Sequence, residues 1–298
     1  MKDLDLAISL LKINKSRDPF GLIGEIFKPK VCGLNLKLSL LMLFNKIKRS
    51  QYIPWFFRFS NITTFWKKQG DKMKLKFHRG IFLITVFKYI LMKLIYQRKY
   101  PIIDSNMSDS NVGGRKSRSI RDHLLIVNGI IQDTLSSKTN EPIDILICDY
   151  KTCFDGLSIP DTFNSLYENG LTDDSFSLLY ELYKNHRVAI KTPVGLTDII
   201  DLQEIICQGD PLGPLLCSSS VDCFGKDCVK EDKHLYFYRQ KTPIMPLTML
   251  DDQVCISKCG VETNILHSFI NSKTNFKKLQ FGPEKCYNLH VGKTKKYS

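Results

Sequence analysis

The chain has 298 residues, 43% of them apolar, which is enough for one large domain or two ordinary ones with a buried core. Charged residues make up 24% and no long biased tract occurs, which excludes a disordered or fibrous protein. The net charge is +13, and residues 1–100 carry 21 of the 43 Lys and Arg but only five of the 30 Asp and Glu. This uneven charge favours a polyanionic partner such as nucleic acid, and a solvated Lys-rich surface is the simpler alternative.

In chain order, the spacing of apolar residues predicts helices within 1–60, a β-prone run at 62–66, a buried strand leading into a helix near 84–98, and a helix at 120–135. It then predicts a strand at 143–148, helices near 161–169 and 173–185, strands at 187–192 and 202–206, and a helix opened by 209–211. The last predicted elements are a hairpin with arms 246–250 and 253–257, a helix near 261–273 and a strand at 287–291. Mixed helices and strands with an antiparallel hairpin indicate the α+β class.

The ten cysteines show no spacing typical of a disulfide framework, and the N-terminus has no signal-peptide pattern. We therefore expect reduced thiols in an intracellular protein, nuclear or cytoplasmic and not secreted. The near-pairs Cys223/Cys228 and Cys255/Cys259 leave zinc as an alternative, although neither has C-x-x-C spacing. The most apolar segment, 80–95, contains two lysines and is too short to span a membrane.

Three aspartates are placed where packing does not require them. Asp149 ends the predicted buried strand 143–148, and Asp251 and Asp252 stand between the two arms of the predicted hairpin. Two adjacent aspartates in a turn can simply stabilise the turn. The other doublet of this chain, 173–174, is expected to cap a helix N-terminus in the same structural way. If the three carboxylates lie close together, they repel one another: two negative charges ~4 Å apart repel by about 4 kcal/mol at an effective dielectric of 20. Two bound Mg²⁺ ions, or Mn²⁺ in their place, would offset this repulsion.

The polar segment 104–119 has two interpretations. It is a flexible linker by composition. Because Arg115, Lys116 and Arg118 follow two glycines, it is equally suited to let backbone amides and cations approach a phosphate chain.

Seven segments, taken in order, resemble the reverse transcriptases of LINE-type (non-LTR) retrotransposons. They are similar to two fingers motifs, the fingers-to-palm junction and four palm motifs: Phe65–Asp71 (FWKKQGD), His78–Leu83 (HRGIFL), Gly113–His123 (GGRKSRSIRDH), Ile147–Leu157 (ICDYKTCFDGL), Ile206–Leu216 (ICQGDPLGPLL), Met249–Asp252 (MLDD) and Leu279–Cys286 (LQFGPEKC). The resemblance runs from about residue 8 to residue 293.

The resemblance implies a right-hand polymerase with fingers at 1–142, mostly helical with a β-prone segment near 62–86, and a palm at 143–298. The palm would hold an antiparallel sheet with flanking helices. The thumb and the endonuclease of full-length family members would be absent from this chain. The implied activity is RNA-directed DNA polymerisation, with an RNA template, a DNA primer and dNTPs as partners and no membrane. The oligomeric state is left open.

The resemblance also implies a role for each matched residue. Asp149, Asp251 and Asp252 would hold the two metal ions, and Lys285 would protonate or neutralise the leaving pyrophosphate.

The other matched residues would contact nucleotide or template. Lys68 and Arg79 would clamp the triphosphate, Phe154 would exclude a ribose 2′-OH, and Gln208 and Gly209 would shape the template-facing helix start. Read from the residues alone, Phe154 is equally a core residue, and the two cations are more simply surface charge.

Four positions depart from the family pattern. Met249 replaces an aromatic residue, Leu250 and Cys153 replace small ones, and Gly213 stands where Ser is frequent. Two alternatives stay open: a truncated, catalytically inactive retrotransposon remnant that only binds nucleic acid, and an intron-encoded or telomerase-like relative.

Overall fold

We describe the fold from a computed structural model, which covers residues 1–137, 141–150, 153–204, 206–231, 236–258, 260–276 and 279–292. The chain divides into two compact units. The first unit consists of Met1–Ser105 and Leu166–Gly213, and the second of Asn106–Ser165 and Pro214–Ser298.

The first unit combines helices with a five-stranded sheet. Its elements are α1 (Lys2–Ser9), α2 (Leu34–Ser50), β1 (Phe59–Trp66), β2 (His78–Ile84), α3 (Val86–Asn106), the end of α6 (Ile159–Glu168), α7 (Asp174–Tyr183), β4 (Lys184–Thr192), β5 (Gly195–Leu196) and β6 (Ile200–Glu204), with 3-10 turns at Gly24–Phe27, Trp55–Arg58 and Leu75–Phe77. The strand order is β2-β1-β4-β5, and β6 also pairs with β4. Both the β1–β2 hairpin and the β4–β6 pair are antiparallel, whereas β1 and β4 are parallel.

The second unit is built on an antiparallel four-stranded sheet. Its elements are α4 (Ile120–Ser136), β3 (Ile143–Asp149), α5 (Cys153–Gly156), the start of α6, α8 (Gly213–Lys230), β7 (Tyr236–Tyr238), β8 (Thr242–Ile244), β9 (Leu247–Met249), β10 (Asp252–Ser257), α9 (Gly260–Phe276) and β11 (Tyr287–Val291), with a 3-10 turn at Pro283–Lys285. The strand order is β11-β3-β10-β9, and β7 and β8 form a separate hairpin. These bounds confirm the predicted α+β class.

Local sequence explains where two of the helices begin. Ser119 and Asp122 form a reciprocal capping box at the start of α4. Asp173 accepts a hydrogen bond from the backbone N–H of Ser175 at the start of α7, so the doublet 173–174 is a helix cap, as predicted. On one face of the second unit's sheet, residues from four elements form a buried apolar cluster: Ile130, Ile143, Ile145, Ile256 and Val291.

The two compact units are not separated at residue 142, and the predicted division into fingers and palm stays a prediction. Residues 106–142 belong to the second unit, and 166–213 belong to the first. The reason is the parallel pairing of β1 with β4, which places Phe59 opposite Arg187. Hydrophobic periodicity reports which face of a strand is buried and does not report a partner more than a hundred residues away.

The hairpin β7–β8 was not predicted. Its turn contains Arg239 and Gln240, both with positive φ (49° and 59°). Left-handed turn residues are usually Gly, Asn or Asp, so this sequence carries no turn signal.

All nine described cysteines are free thiols, and Cys259 of the possible zinc pair lies outside the described residues. Among the described residues, no helix is long and apolar enough to cross a membrane.

We expect the first unit to lose stability in acid because of His186. Its imidazole is 1% exposed, with Nε2 2.8 Å from Ser60 Oγ, and burial, followed by the charge of Lys88, lowers its pKa to about 2. Below an ordinary histidine pKa of about 6.5 the unfolded chain therefore binds a proton that the folded chain does not. Unfolding free energy should fall by about 2 kcal/mol between pH 8 and pH 5 from this group alone.

The measurement is urea denaturation of the wild type and His186→Gln across that range. The variant removes the titrating group, so its stability should fall less toward pH 5. Parallel pH curves for the two proteins would contradict the assignment.

Candidate active site

Strand pairing brings the three predicted carboxylate positions to one end of the second unit's sheet. In the antiparallel β3–β10 ladder, Asp252 lies directly opposite Asp149. The backbone N–H of Tyr150 donates to the carbonyl of Asp251 at 3.1 Å. Asp251 lies in the turn between β9 and β10, and Asp252 is the first residue of β10. The first palm-like motif and the doublet, about a hundred residues apart in sequence, are therefore neighbours in the fold.

The fourth palm-like motif closes the other side of this site. Tyr150 forms a β-bridge with Phe281, and their rings stack with centroids 4.7 Å apart. The backbone N–H of Gly282 donates to the carbonyl of Asp149 at 3.0 Å. These contacts bring Lys285 to Asp149, where its Nζ donates to both carboxylate oxygens at 3.0 and 2.9 Å.

The site carries more negative than positive charge. Partial burial, then the charges of Asp251 and Asp149, raise the pKa of Asp252, and only Lys285 opposes the rise. The hydrogen bond with Asp149 raises the pKa of Lys285 above its usual range. Like-charged carboxylates held together in this way favour a cation between them.

The chemistry of these donors fits a hard divalent cation, because all three groups offer carboxylate oxygens. The side-chain arrangement is not a ready-made metal cage: among the described residues, no three His, Cys, Asp or Glu side chains are arranged to hold one ion. Lys285 contacts both oxygens of Asp149, so a metal bound there would have to displace part of this ion pair.

The turn that carries the doublet is tightly packed. Leu250, the first of its two residues, has a φ of 57°, a left-handed conformation that is uncommon for a branched side chain. A Cβ built on Gly113 would lie 2.5 Å from the backbone nitrogen of Leu250, so only glycine fits there. Gly113 therefore packs against the turn, a role that its sequence pattern did not predict.

The three cations after these glycines differ in their surroundings. The guanidinium of Arg115 is 7% exposed and donates to the carbonyls of Ser108 and Asn111 at 2.6 and 2.8 Å. This arginine stabilises its own loop. Arg118 pairs with Asp109 at 2.6 Å, and the side chain of Lys116 is exposed. Phosphate binding by this segment stays a prediction, and the buried position of Arg115 does not favour it there.

Phe154 follows the end of β3 on the one-turn helix α5, and its ring is half-buried. The preceding residue, Cys153, is buried, with its Sγ 2.8 Å from the Sγ of Cys217. The thiol of Cys153 is therefore accommodated inside the second unit. That Phe154 excludes a ribose 2′-OH stays a prediction.

Lys68, Arg79, Gln208 and Gly209 all lie in the first unit. Lys68 lies two residues after the end of β1 and has a φ of 58°. Arg79, on β2, lies opposite Phe65. Both cations are exposed. The hairpin therefore presents two cations near its tip, and their binding to a triphosphate stays a prediction.

Gln208 and Gly209 form a loop against β2. The backbone N–H of Phe82 donates to the carbonyl of Gln208 at 2.9 Å. Gly209 has a φ of 110°, and a Cβ there would lie 3.1 Å from the carbonyl oxygen of Phe82. Glycine is needed at this position both for its conformation and for this close approach.

Asp210 holds this loop from inside. Its Oδ1 accepts hydrogen bonds from the backbone N–H groups of Leu212 and Gly213 at 2.8 and 2.5 Å. Its Oδ2 accepts one from the hydroxyl of Tyr183 at 2.8 Å. Tyr183 was not predicted as a site residue, because the residues around it in the sequence are those of an ordinary core tyrosine.

Comparison with known proteins supports the fold. No protein-family model matches the sequence, and no curated protein matches it at a significant level. Among solved structures, apo telomerase from Candida tropicalis, truncated from the C-terminal domain, is similar with a TM-score of 0.58 and 14% sequence identity. The similarity covers 88% of this chain and 56% of the telomerase chain, so this chain spans little more than half the length of that protein.

The fold class follows from these findings. The chain has a reverse-transcriptase-like fold, with mixed helices and antiparallel sheets and a telomerase as structural neighbour. At 14% identity this similarity concerns the fold alone, and it assigns no activity, substrate or partner to this chain.

Proposed function

We propose that the chain is the fingers and palm core of an RNA-directed DNA polymerase of the non-LTR retrotransposon type. The observation that carries the proposal is the register that pairs Asp252 with Asp149 and places Asp251 beside Tyr150. Three carboxylates at the ends of neighbouring strands, in a reverse-transcriptase-like fold, suit phosphoryl transfer, where catalysis is mostly positioning and charge stabilisation.

In this proposal each part of the chain has a distinct task. Asp149, Asp251 and Asp252 would hold two Mg²⁺ ions, or Mn²⁺, which supply charge stabilisation at the reacting phosphate. Lys285 would protonate or neutralise the leaving pyrophosphate.

The remaining polar side chains would bind the substrates. Lys68 and Arg79 would bind the triphosphate of the incoming dNTP, and Gln208 and Gly209 would face the RNA template. The excess of basic residues in 1–100 would contribute general affinity for the template and the DNA primer. Such a protein would act inside the cell, in the nucleus or the cytoplasm.

One observation favours a second candidate, a remnant that binds nucleic acid without catalysis. Lys285 engages both oxygens of Asp149, so the ammonium occupies the position next to this carboxylate. If that ion pair persists when Mg²⁺ is present, the fold and the basic surface remain but turnover does not.

Primer extension separates the two candidates. The purified chain is supplied with a primed RNA template, dNTPs and Mg²⁺, and both incorporation and template binding are measured. Incorporation that EDTA abolishes supports the polymerase. Template binding without incorporation, in Mg²⁺ and in Mn²⁺, supports the remnant.

We expect Phe154→Ala to weaken discrimination against ribonucleotides by about tenfold or more, because a pocket that excludes a group by bulk loses that exclusion when the bulk is removed. The measurement is the ratio of kcat/KM for dNTP and rNTP. Phe154→Tyr keeps the ring and should keep the wild-type ratio. An unchanged ratio in the alanine variant would remove the sugar-gate assignment.

A further inference from the structure

A buried polar cluster lies behind the Gln208–Gly209 loop in the first unit. Lys88, on α3, is 0% exposed, an unusual position for a lysine. Its Nζ lies 3.4 Å from the carbonyl of Leu182, in the last turn of α7, and 3.5 Å from Nδ1 of His186. The C-terminal end of a helix favours a cation, which partly explains how this ammonium is tolerated.

The aromatic ring of Tyr183 joins this cation to the loop. Lys88 Nζ lies 5.4 Å from the centroid of the ring, within the range of a cation–π contact. At its other end the same side chain donates its hydroxyl hydrogen bond to Asp210. One buried tyrosine thus lies between a buried ammonium and a buried carboxylate.

The two buried charges compensate each other electrostatically. Asp210 is 4% exposed, and burial raises the pKa of its carboxyl. The charge of Lys88 is the largest influence that opposes this rise, ahead of Tyr183 and the two backbone N–H groups. A buried carboxylate with no such compensation would be costly, and the loop that depends on it would loosen.

We propose that Lys88 and Tyr183 are positioning residues, which act through Asp210 to hold the Gln208–Gly209 backbone against β2. Asp210 fixes the loop at Leu212 and Gly213, and the loop in turn meets β2 at Phe82. β2 also carries Arg79, so the anchor sets the position of the loop relative to the strand that bears the proposed triphosphate ligand. The consequence for template or nucleotide binding rests on the proposed function, whereas the anchoring itself does not.

Hydrogen–deuterium exchange of the loop amides within 207–213, where every residue but Pro211 has an N–H, tests the anchor without any activity assay. Tyr183→Phe removes only the hydroxyl, and exchange in the loop should become about tenfold faster, since a hydrogen bond to a buried charged group is lost. Tyr100→Phe is the matched control: it removes the 2.9 Å hydroxyl bond from Tyr100 to Asp104 on α3 of the same unit. In Tyr100→Phe, the exchange rates of the loop amides should stay within about twofold of those in the wild type.

A double-mutant cycle that removes the two charges singly and together tests the role of Lys88. Lys88→Met leaves Asp210 uncompensated, and Asp210→Asn leaves Lys88 uncompensated, so each single variant should show at least about tenfold faster exchange in the loop. The double variant has neither charge, and its amide nitrogen can still donate to the oxygen of Tyr183. Exchange should return to within about threefold of the wild type. A double variant no better protected than the worse single variant would overturn the proposal, as would equal loop exchange in Tyr183→Phe and Tyr100→Phe.

Steady-state kinetics then tests the functional consequence. In an active protein, Tyr183→Phe should raise KM for template or dNTP by about tenfold with kcat changed much less, whereas Tyr100→Phe should change neither. Equal losses in kcat and KM for both variants would contradict positioning by Tyr183. A wild type that incorporates nothing would refute the proposed polymerase and leave the exchange result as the test of the anchor.

Discussion

Asp251→Asn should abolish primer extension, with a loss of kcat on the order of 10³-fold or more, because charge stabilisation at the phosphate supplies most of the catalysis in this class of reaction. The substitution preserves side-chain shape and removes one negative charge from beside Asp252. Since repulsion from Asp251 contributes to the raised pKa of Asp252, the folded protein should be no less stable, and the pKa of Asp252 should move toward its usual value. The measurements are single-turnover extension and urea denaturation.

The second aspartate doublet provides the matched control. Asp174 lies in the first turn of α7, where a carboxylate interacts with the helix dipole. Asp174→Asn should leave extension unchanged and cost at most about 1 kcal/mol of stability. Full extension by the Asp251→Asn protein would remove the assignment of the carboxylates at 149, 251 and 252.

Gly113→Ala should reduce extension on the order of 10²-fold, since a displacement of about 1 Å in a catalytic group can cost that much. The added Cβ would lie 2.5 Å from the backbone nitrogen of Leu250, next to the doublet. Backbone cannot give way as a flexible side chain can, so the turn itself must move. Extension and template affinity should be measured together, because the change should affect turnover more than binding.

Gly129→Ala is the control for this substitution. Gly129 lies within α4, and a Cβ there would have nothing within 4 Å. Alanine is the better helix former, so this variant should be about 0.5–1 kcal/mol more stable, with unchanged extension. If both glycine variants extended primers equally well, the turn supported by Gly113 would not be the one that positions catalytic groups.

The sequence alone was sufficient for most local structure and for the candidate carboxylates. The strand ending at Asp149, the hairpin around the doublet, the cap at Asp173 and the last strand Tyr287–Val291 were all predicted within a few residues. These features depend on periodicity, turn and capping preferences, which act over a few residues and can therefore be read locally.

Long-range pairing determined the rest. Two features depend on a partner distant in the chain: the pairing of Asp252 opposite Asp149, and the ion pair between Lys285 and Asp149. The burial of Arg115 against its own backbone depends on the course of its loop. A basic residue beside two glycines has the same sequence pattern whether its guanidinium meets a phosphate or its own backbone carbonyls.

The cluster behind the Gln208–Gly209 loop shows the same limit. In the sequence, Lys88 is one of two lysines within the apolar segment 80–95, and lysine is seldom fully buried. In the fold it is buried, because Tyr183, His186 and the end of α7 surround its ammonium group. The free energy of a buried charge depends on which groups surround it, and those groups are brought together only when β1, β4 and α3 pack in the first unit.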